Sequence, residues 1–349
     1  MKIFWKKKQF WGGLIAIALL AYCVKDIKIS EIRVLLTRVN LYFLIPAIVS
    51  SFVFVVLKGI RWRVLMSRQK KVTYPWAISI YSAGQILNII MPVLTGQVGR
   101  MILFSRKEGL RKTVIFSTIL LEILFDASTL IIFILLTSLA FVFPAEYRSL
   151  SYIISGATVI IIAGLYLTLH NQYRLENFGR RHLRERWPGI YITVKKFIRS
   201  FTKGIELLRS SHHIFGSLFV SLVIWACHML VIYFLIRSFG FQLPLAAAAV
   251  VMIINTVVLM VPITPGNAGT FEVAVSASLS AFSIGRSDAV LFSLALHLLD
   301  LLPIFALGAT FIHYDKIFLK EIKAKHGEED IFDQISEDGS LIEEAEEKV

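Results

Sequence analysis

The stretch VPITPGNAGTFE, residues 261–272, sets two prolines, two glycines and a carboxylate after sixteen mostly apolar residues, Leu245 to Met260. A small, weakly polar run, VAVSASLSAF, follows it. Its residues that can carry chemistry are Pro265, Gly266, Gly269 and Glu272. A helix that starts at membrane depth leaves its first backbone N–H groups unpaired. Glycines let a ligand approach those groups, and the helix dipole adds partial positive charge. Together they predict an anion site inside the bilayer, and lipid phosphate is the anion a membrane supplies.

Glu122 and Asp126 stand one turn apart on one face of another apolar run. A charge in mid-membrane is unfavourable by at least ~2.5 kcal/mol, so it faces a cavity or a partner. The two acids read either as a proton or lipid-amine site or as a buried interhelix pair with Arg100 or Arg61. Arg100 reads either as a bidentate phosphate ligand or as one more basic residue of the cytoplasmic side. Glu272 either receives a cationic headgroup or a proton, or offsets the dipole of the helix it begins. His297 and Asp300, one turn apart in the last apolar run, are either proton-coupling groups or a hydrogen-bonded packing pair. His228 reads as a packed interior histidine. Cys23 and Cys227 both fall inside apolar runs, so no disulfide framework is expected. No metal, cofactor or catalytic residue is expected either.

The elements that position these residues follow from composition. The chain has 349 residues, 56 % of them hydrophobic, with a mean hydropathy of +0.70. Several runs approach the ~20 apolar residues that cross a ~30 Å hydrocarbon core. They are continuous rather than alternating, which excludes a β-barrel and predicts an all-α polytopic membrane protein. The chain holds 37 basic and 24 acidic residues. One lysine and ten acids lie in the tail His326–Val349, so residues 1–325 keep 36 and 14, a net +22. That surplus fits cytoplasmic loops and anionic lipid rather than nucleic acid. The tail, 326–349, reads as acidic and disordered. The N-terminal run lacks a small-x-small cleavage site and reads as a retained first span.

Counting basic residues between runs orients the spans. Phe10–Val24, Leu41–Leu57, Val114–Phe143, Tyr152–Leu169, Ile214–Phe239 and Val290–Phe311 cross, with both termini inside. KGIRWRVLMSRQKK, with six basic residues, and the linker 171–213 are cytoplasmic. Tyr74–Leu94 has basic flanks on both sides and is predicted to dip in and return. Ala246–Phe282, with nearly neutral flanks, does the same from outside. The architecture is thus about six crossing helices and two re-entrant broken helices.

The two broken segments match in order. NIIMPVLTGQVGR contains Asn88, Pro92, Gly96, Gly99 and Arg100, and the second contains Asn255, Pro262, Gly266, Gly269 and Glu272. Each is followed by a long run with an acid inside it, Asp126 and Asp300. One entering from each side predicts an inverted-topology repeat, with halves at 41–143 and 214–312 inside a domain spanning 1–325. Such folds bind substrate near the membrane midplane.

RWRVL (Arg61–Leu65), NIIMPVLTGQVGR, the Glu122 and Asp126 pair and PITPGNAGTFE together resemble the transmembrane region of the lysylphosphatidylglycerol synthase (flippase-like) family. The resemblance covers roughly Phe10 to Ile312. In that family the second motif usually reads P-x-x-P-G-G-x-G-x-x-E. Here Pro262, Pro265, Gly266, Gly269 and Glu272 match, and Asn267 stands for a glycine. The family often shows E-R-x-x-D where this chain has EILFD, and often an arginine where this chain has His297. The resemblance implies a multi-pass protein of a prokaryotic cytoplasmic (inner) membrane. It also implies movement of an anionic or aminoacylated phospholipid between leaflets. No stretch here forms the soluble aminoacyl-transfer domain of the full-length synthases.

The leading expectation is therefore a lipid translocator without chemistry of its own. Its partner is a membrane phospholipid or polyprenyl-phosphate lipid. One alternative is an intramembrane polyprenyl-phosphate glycosyltransferase-like enzyme, but no loop carries D-x-D. Another is a nonenzymatic partner of a separate lipid-modifying or envelope-synthesis enzyme, or a homo-oligomer. The topology is tested by cysteines placed at Gln69 and Lys107 in a chain lacking Cys23 and Cys227. Both should react with a membrane-impermeant reagent from the cytoplasmic side. Labelling of position 107 from outside contradicts the topology and the repeat.

Overall fold

Backbone in hydrocarbon must satisfy its own polar groups, and a helix does so within one segment. The computed structural model describes residues 14–23, 39–67, 70–90, 112–140, 211–260 and 264–314, with a few single positions between them. Every regular element among these residues is a helix. In chain order they are α1 (Leu14–Cys23), α2 (Leu41–Met66), α3 (Tyr74–Ile90), α4 (Lys112–Ala140), α5 (Ser211–Ser238) and α6 (Leu245–Leu259). A 3-10 turn (Pro265–Asn267), α7 (Thr270–Ser280) and α8 (Arg286–Tyr314) complete them. α2, α4, α5 and α8 are long and apolar enough to cross a membrane. The expected span 152–169, most of the basic linker and the acidic tail lie outside the described residues.

The outer faces suit lipid. Leu41, Ile45, Val49 and Val53 recur every fourth residue along α2 and are all exposed, as are Phe215, Phe219 and Val223 along α5. Residues four apart share one helix face, so these are continuous apolar stripes. Stripes of this length are unfavourable against water and match acyl chains.

α2 and α5 pack antiparallel. At one end, Asn40 caps α2 by accepting the N–H of Tyr42 at 2.9 Å. Its own N–H donates to the Ser238 carbonyl at 2.8 Å, and the Ser238 hydroxyl donates to the Asn40 carbonyl at 3.1 Å. At the other end, Arg61 of α2 donates to Ser221 of α5. α8 joins α2 through a backbone defect. Pro303 has no N–H to give the carbonyl four residues earlier, that of Leu299. The buried Ser51 hydroxyl of α2 donates to that carbonyl instead.

α6 occupies the interior: all nine residues from Ala247 to Asn255 are buried. At 1.5 Å per residue its fifteen residues extend about 22 Å and the eleven of α7 about 16 Å, each short of a membrane core. The break predicted within 246–282 is therefore present, between the end of α6 at Leu259 and the start of α7 at Thr270, with protein packed around Ala247–Asn255 of the helix before it. α3 begins against α2, where a Cβ on Gly59 would lie 2.7 Å from the Ile78 Cα. It ends at the turn, where Ile89 touches Gly266. α8 crosses it between these points, with Gly308 against Ala83 and Ile86. Small residues let backbones approach where apolar burial alone gives no drive.

One boundary differs from the sequence reading. The span was expected to end at Leu57 with a cytoplasmic run after it, but α2 continues through Met66 and carries Lys58, Arg61 and Trp62 with it. Arg61 and Trp62 are buried, so a positive charge counted as a loop charge belongs to the bundle.

Gly308→Val should destabilise the protein by roughly 1–3 kcal/mol through overpacking against α3. Gly216→Ala, on a helix face with nothing within 4 Å, should leave stability unchanged or slightly raised. Thermal unfolding in detergent checks the pair.

Candidate functional site

Two helices and Arg100 bring five charged side chains together, and a third helix adds Ser221 and Trp225. Arg61 of α2 binds Asp126 of α4 with both guanidinium nitrogens, Nη1 to Oδ1 at 2.6 Å and Nη2 to Oδ2 at 3.1 Å. Its Nη2 also reaches Glu122 Oε1 at 3.5 Å, and its Nη1 donates to the Ser221 hydroxyl of α5 at 2.8 Å. Lys58 Nζ lies 3.5 Å from Asp126 Oδ2, and the indole N–H of Trp225 donates to Asp126 Oδ1 at 3.0 Å. Arg100 donates to Glu122 Oε2. The spacing explains the meeting: Lys58 and Arg61 are one turn apart on α2, as Glu122 and Asp126 are on α4.

Among the described residues this network is not neutral. Lys58, Arg61 and Arg100 face Glu122 and Asp126, a surplus of one positive charge. Arg61 and Arg100 are each 1 % exposed. Arg100 lies over the rings of Trp62 and Tyr81, 4.9 and 5.1 Å from their centroids. Its Nε and Nη1, the Nε of Arg61 and the indole nitrogen of Trp62 are buried and find no acceptor among the described residues. All four are donors. A cluster with spare donors and spare positive charge is chemically complementary to an anion.

A second network sits at the broken segment. Gly269 is left-handed, φ 83°, and starts α7. Its N–H donates to Glu272 Oε2 at 2.6 Å. Glu272 Oε1 lies 2.7 Å from His297 Nδ1, and His297 Nε2 lies 3.1 Å from the carbonyl oxygen of Gly266. The ring of Phe271 stacks on His297 with centroids 4.3 Å apart. Gly269 has no open face: a Cβ there would lie 2.5 Å from Leu19 Cβ of α1. The glycine expected to admit a ligand instead admits α1, and its N–H is taken by Glu272.

The predicted residues thus divide. Arg100, Glu122 and Asp126 belong to the first network; Gly266, Gly269, Glu272 and His297 belong to the second. None of their ion pairs or side-chain hydrogen bonds joins the two. Pro265 opens the 3-10 turn, and Asn88 lies on α3 one residue before Ile89, which touches Gly266. Pro92, Gly96 and Gly99 lie outside the described residues. Asp300 does not pair with His297. It faces His228 of α5, with Nε2 to Oδ1 3.3 Å, and His228 stacks on Phe54. Lys58, Ser221 and Trp225 were missed as site residues. The one-turn spacing of Lys58 and Arg61 was the available signal. Among the described residues no cluster of His, Cys, Asp and Glu is arranged to hold a metal ion.

Comparison with known proteins places this geometry in a family. No solved structure matches the chain. It is 21 % identical to a UPF0104 membrane protein of Pyrococcus horikoshii over 73 % of this chain and 82 % of that one. It is 22 % identical to a UPF0104 membrane protein of Methanothermobacter thermautotrophicus over 86 % and 94 %, respectively. A third, from Methanocaldococcus jannaschii, is 23 % identical over 90 % and 95 %. The family model described as Lysylphosphatidylglycerol synthase TM region matches residues 9–308, which include both networks, and the chain belongs to that family.

Proposed function

We propose that this protein moves a phosphate-bearing lipid between membrane leaflets, the headgroup passing the buried charged cluster while the acyl chains stay in the bilayer. The observation that carries this reading is the surplus charge at Lys58, Arg61 and Arg100 with four unmatched donors around it. A buried charge is strongly unfavourable unless paired. An anionic phospholipid or polyprenyl-phosphate lipid supplies the missing charge and the missing acceptors. Glu122, held between Arg61 and Arg100, competes with the phosphate for those guanidinium groups, so binding stays weak enough for release. An aminoacylated headgroup would set its amine against the same carboxylate. On this reading α3 with the segment after it, and α6 with α7, are the two re-entrant halves of an inverted repeat. The contact of Ile89 with Gly266 supports that pairing. The protein then works in a prokaryotic cytoplasmic membrane with both termini inside.

Liposomes carrying labelled phosphatidylglycerol or phosphatidylcholine test the proposal. Wild-type protein should move the anionic lipid faster. Arg100→Ala should slow the anionic lipid about tenfold or more, the worth of a charge-assisted hydrogen bond, with a smaller effect on the zwitterionic one. Equal loss for both contradicts the reading. Glu122→Gln should leave folded protein in the membrane with altered transport. Asp126→Ala, which strands Arg61, should instead destabilise the fold by ~3–5 kcal/mol. Thermal unfolding run beside the transport assay separates the two effects.

A further inference from the structure

Hydrogen-bond counting on the second network locates its protons. The Gly266 carbonyl can only accept, so His297 Nε2, 3.1 Å away, carries a hydrogen. Glu272 Oε2 accepts the Gly269 N–H. Between His297 Nδ1 and Glu272 Oε1, 2.7 Å apart, one more proton is required. It sits on the imidazole, giving an ion pair, or on the carboxyl, giving a neutral pair; the number is one in both cases. Without it, two lone pairs face each other. Moving the remaining proton to Nδ1 restores the contact with Glu272 and turns a lone pair toward the Gly266 carbonyl. No arrangement of the deprotonated pair keeps all three contacts.

Those contacts close on one piece of backbone. Gly266 and Gly269 bound the turn between α6 and α7, and three of its residues are left-handed: Gly266 at φ 59°, Asn267 at 58° and Gly269 at 83°. Such a conformation persists only where its surroundings hold it, and Asn267 has no glycine's freedom to adopt it. We propose that Glu272 and His297 form a proton-binding site: occupied, it holds the turn between α6 and α7, and empty, it releases it.

The surroundings leave the pair to set its own proton. α3 and α6 contain no acid, lysine, arginine or histidine. From α1, the Cys23 thiol lies within electrostatic reach of Glu272, with Arg286 of α8 near that thiol. Asp300, one turn along α8, is engaged with His228. The His297 side chain is 12 % exposed against 2 % for Glu272, so the imidazole is the edge where a proton enters. Release of the turn frees Gly266 from Ile89 and thereby the end of α3. Coupling of this step to lipid movement rests on the function proposed above; the proton site itself does not.

Hydrogen exchange of the full chain in lipid nanodiscs, read on peptides covering residues 264–272 and corrected for intrinsic rates, tests the site with no transport assay. Between pH 5.5 and 8.5 wild-type protection should fall about tenfold or more as the proton leaves, since a hydrogen bond to a charged group is lost. In Glu272→Gln the amide donates to Nδ1 of a neutral imidazole and its oxygen accepts from Gly269. That variant closes the same contacts with no labile proton, so its protection should be high and independent of pH. His297→Gln, a second variant, should give lower protection that is also independent of pH. Wild-type protection independent of pH, or the same fall in Glu272→Gln, overturns the proposal. Because exchange is read on the turn itself, a chain that moves no lipid can still support or overturn the proton site.

Discussion

A carboxylate set among apolar helices calls for a cation, and Asp126, half-buried, is met by two. Arg61 holds it with a two-pronged contact and Lys58 stands 3.5 Å from the same group. Through Ser221 and Trp225 the pair also ties in α5, and through Glu122 it reaches Arg100. The cluster therefore joins α2, α4 and α5 with Arg100. Apolar surface gives helices little reason to associate in lipid, so polar contacts of this kind specify which helices meet. Ser51 on the carbonyl freed by Pro303 serves the same end between α2 and α8.

The second broken segment obeys a related constraint. A helix that starts inside protein exposes N–H groups that need acceptors. At α7 the acceptor is Glu272, placed three residues into the helix, and the opposite edge of its carboxylate is occupied by His297. α6, which leads to the break, is buried from Ala247 to Asn255. The two networks differ in character. The first has more donors than acceptors. The second is matched, but only while one proton is present.

The apolar runs, the break near PITPGNAGTFE and the need of Glu122 and Asp126 for partners were legible in the sequence, because each violates or fulfils a simple rule of membrane insertion. The partners were harder. Charge counting between spans treats every lysine and arginine near a helix end as a loop charge. It thus placed Arg61 on the cytoplasmic side, whereas α2 runs on to Met66 and buries that side chain against the two acids, the pairing that the spacing of Glu122 and Asp126 had left open. Spacing along one helix also misled for His297 and Asp300. They are one turn apart, yet their side chains diverge toward different helices, α7 and α5. The role of Gly269 shifted for the same reason. Open space for a ligand was expected beside it, but that space belongs to α1. Sequence reports periodicity within a helix; which neighbour fills a given face is a property of the packing.

On the function proposed above, an anion answers the surplus positive charge at Lys58, Arg61 and Arg100, and lipid identification tests that reading most directly. Protein extracted in mild detergent and analysed by mass spectrometry should carry lipid bearing a phosphate and a net negative charge, enriched above its share of the bulk membrane. The same lipid should be lost from Arg100→Ala. Retained lipid that mirrors the bulk membrane, or an anionic lipid held equally by Arg100→Ala, would contradict the account.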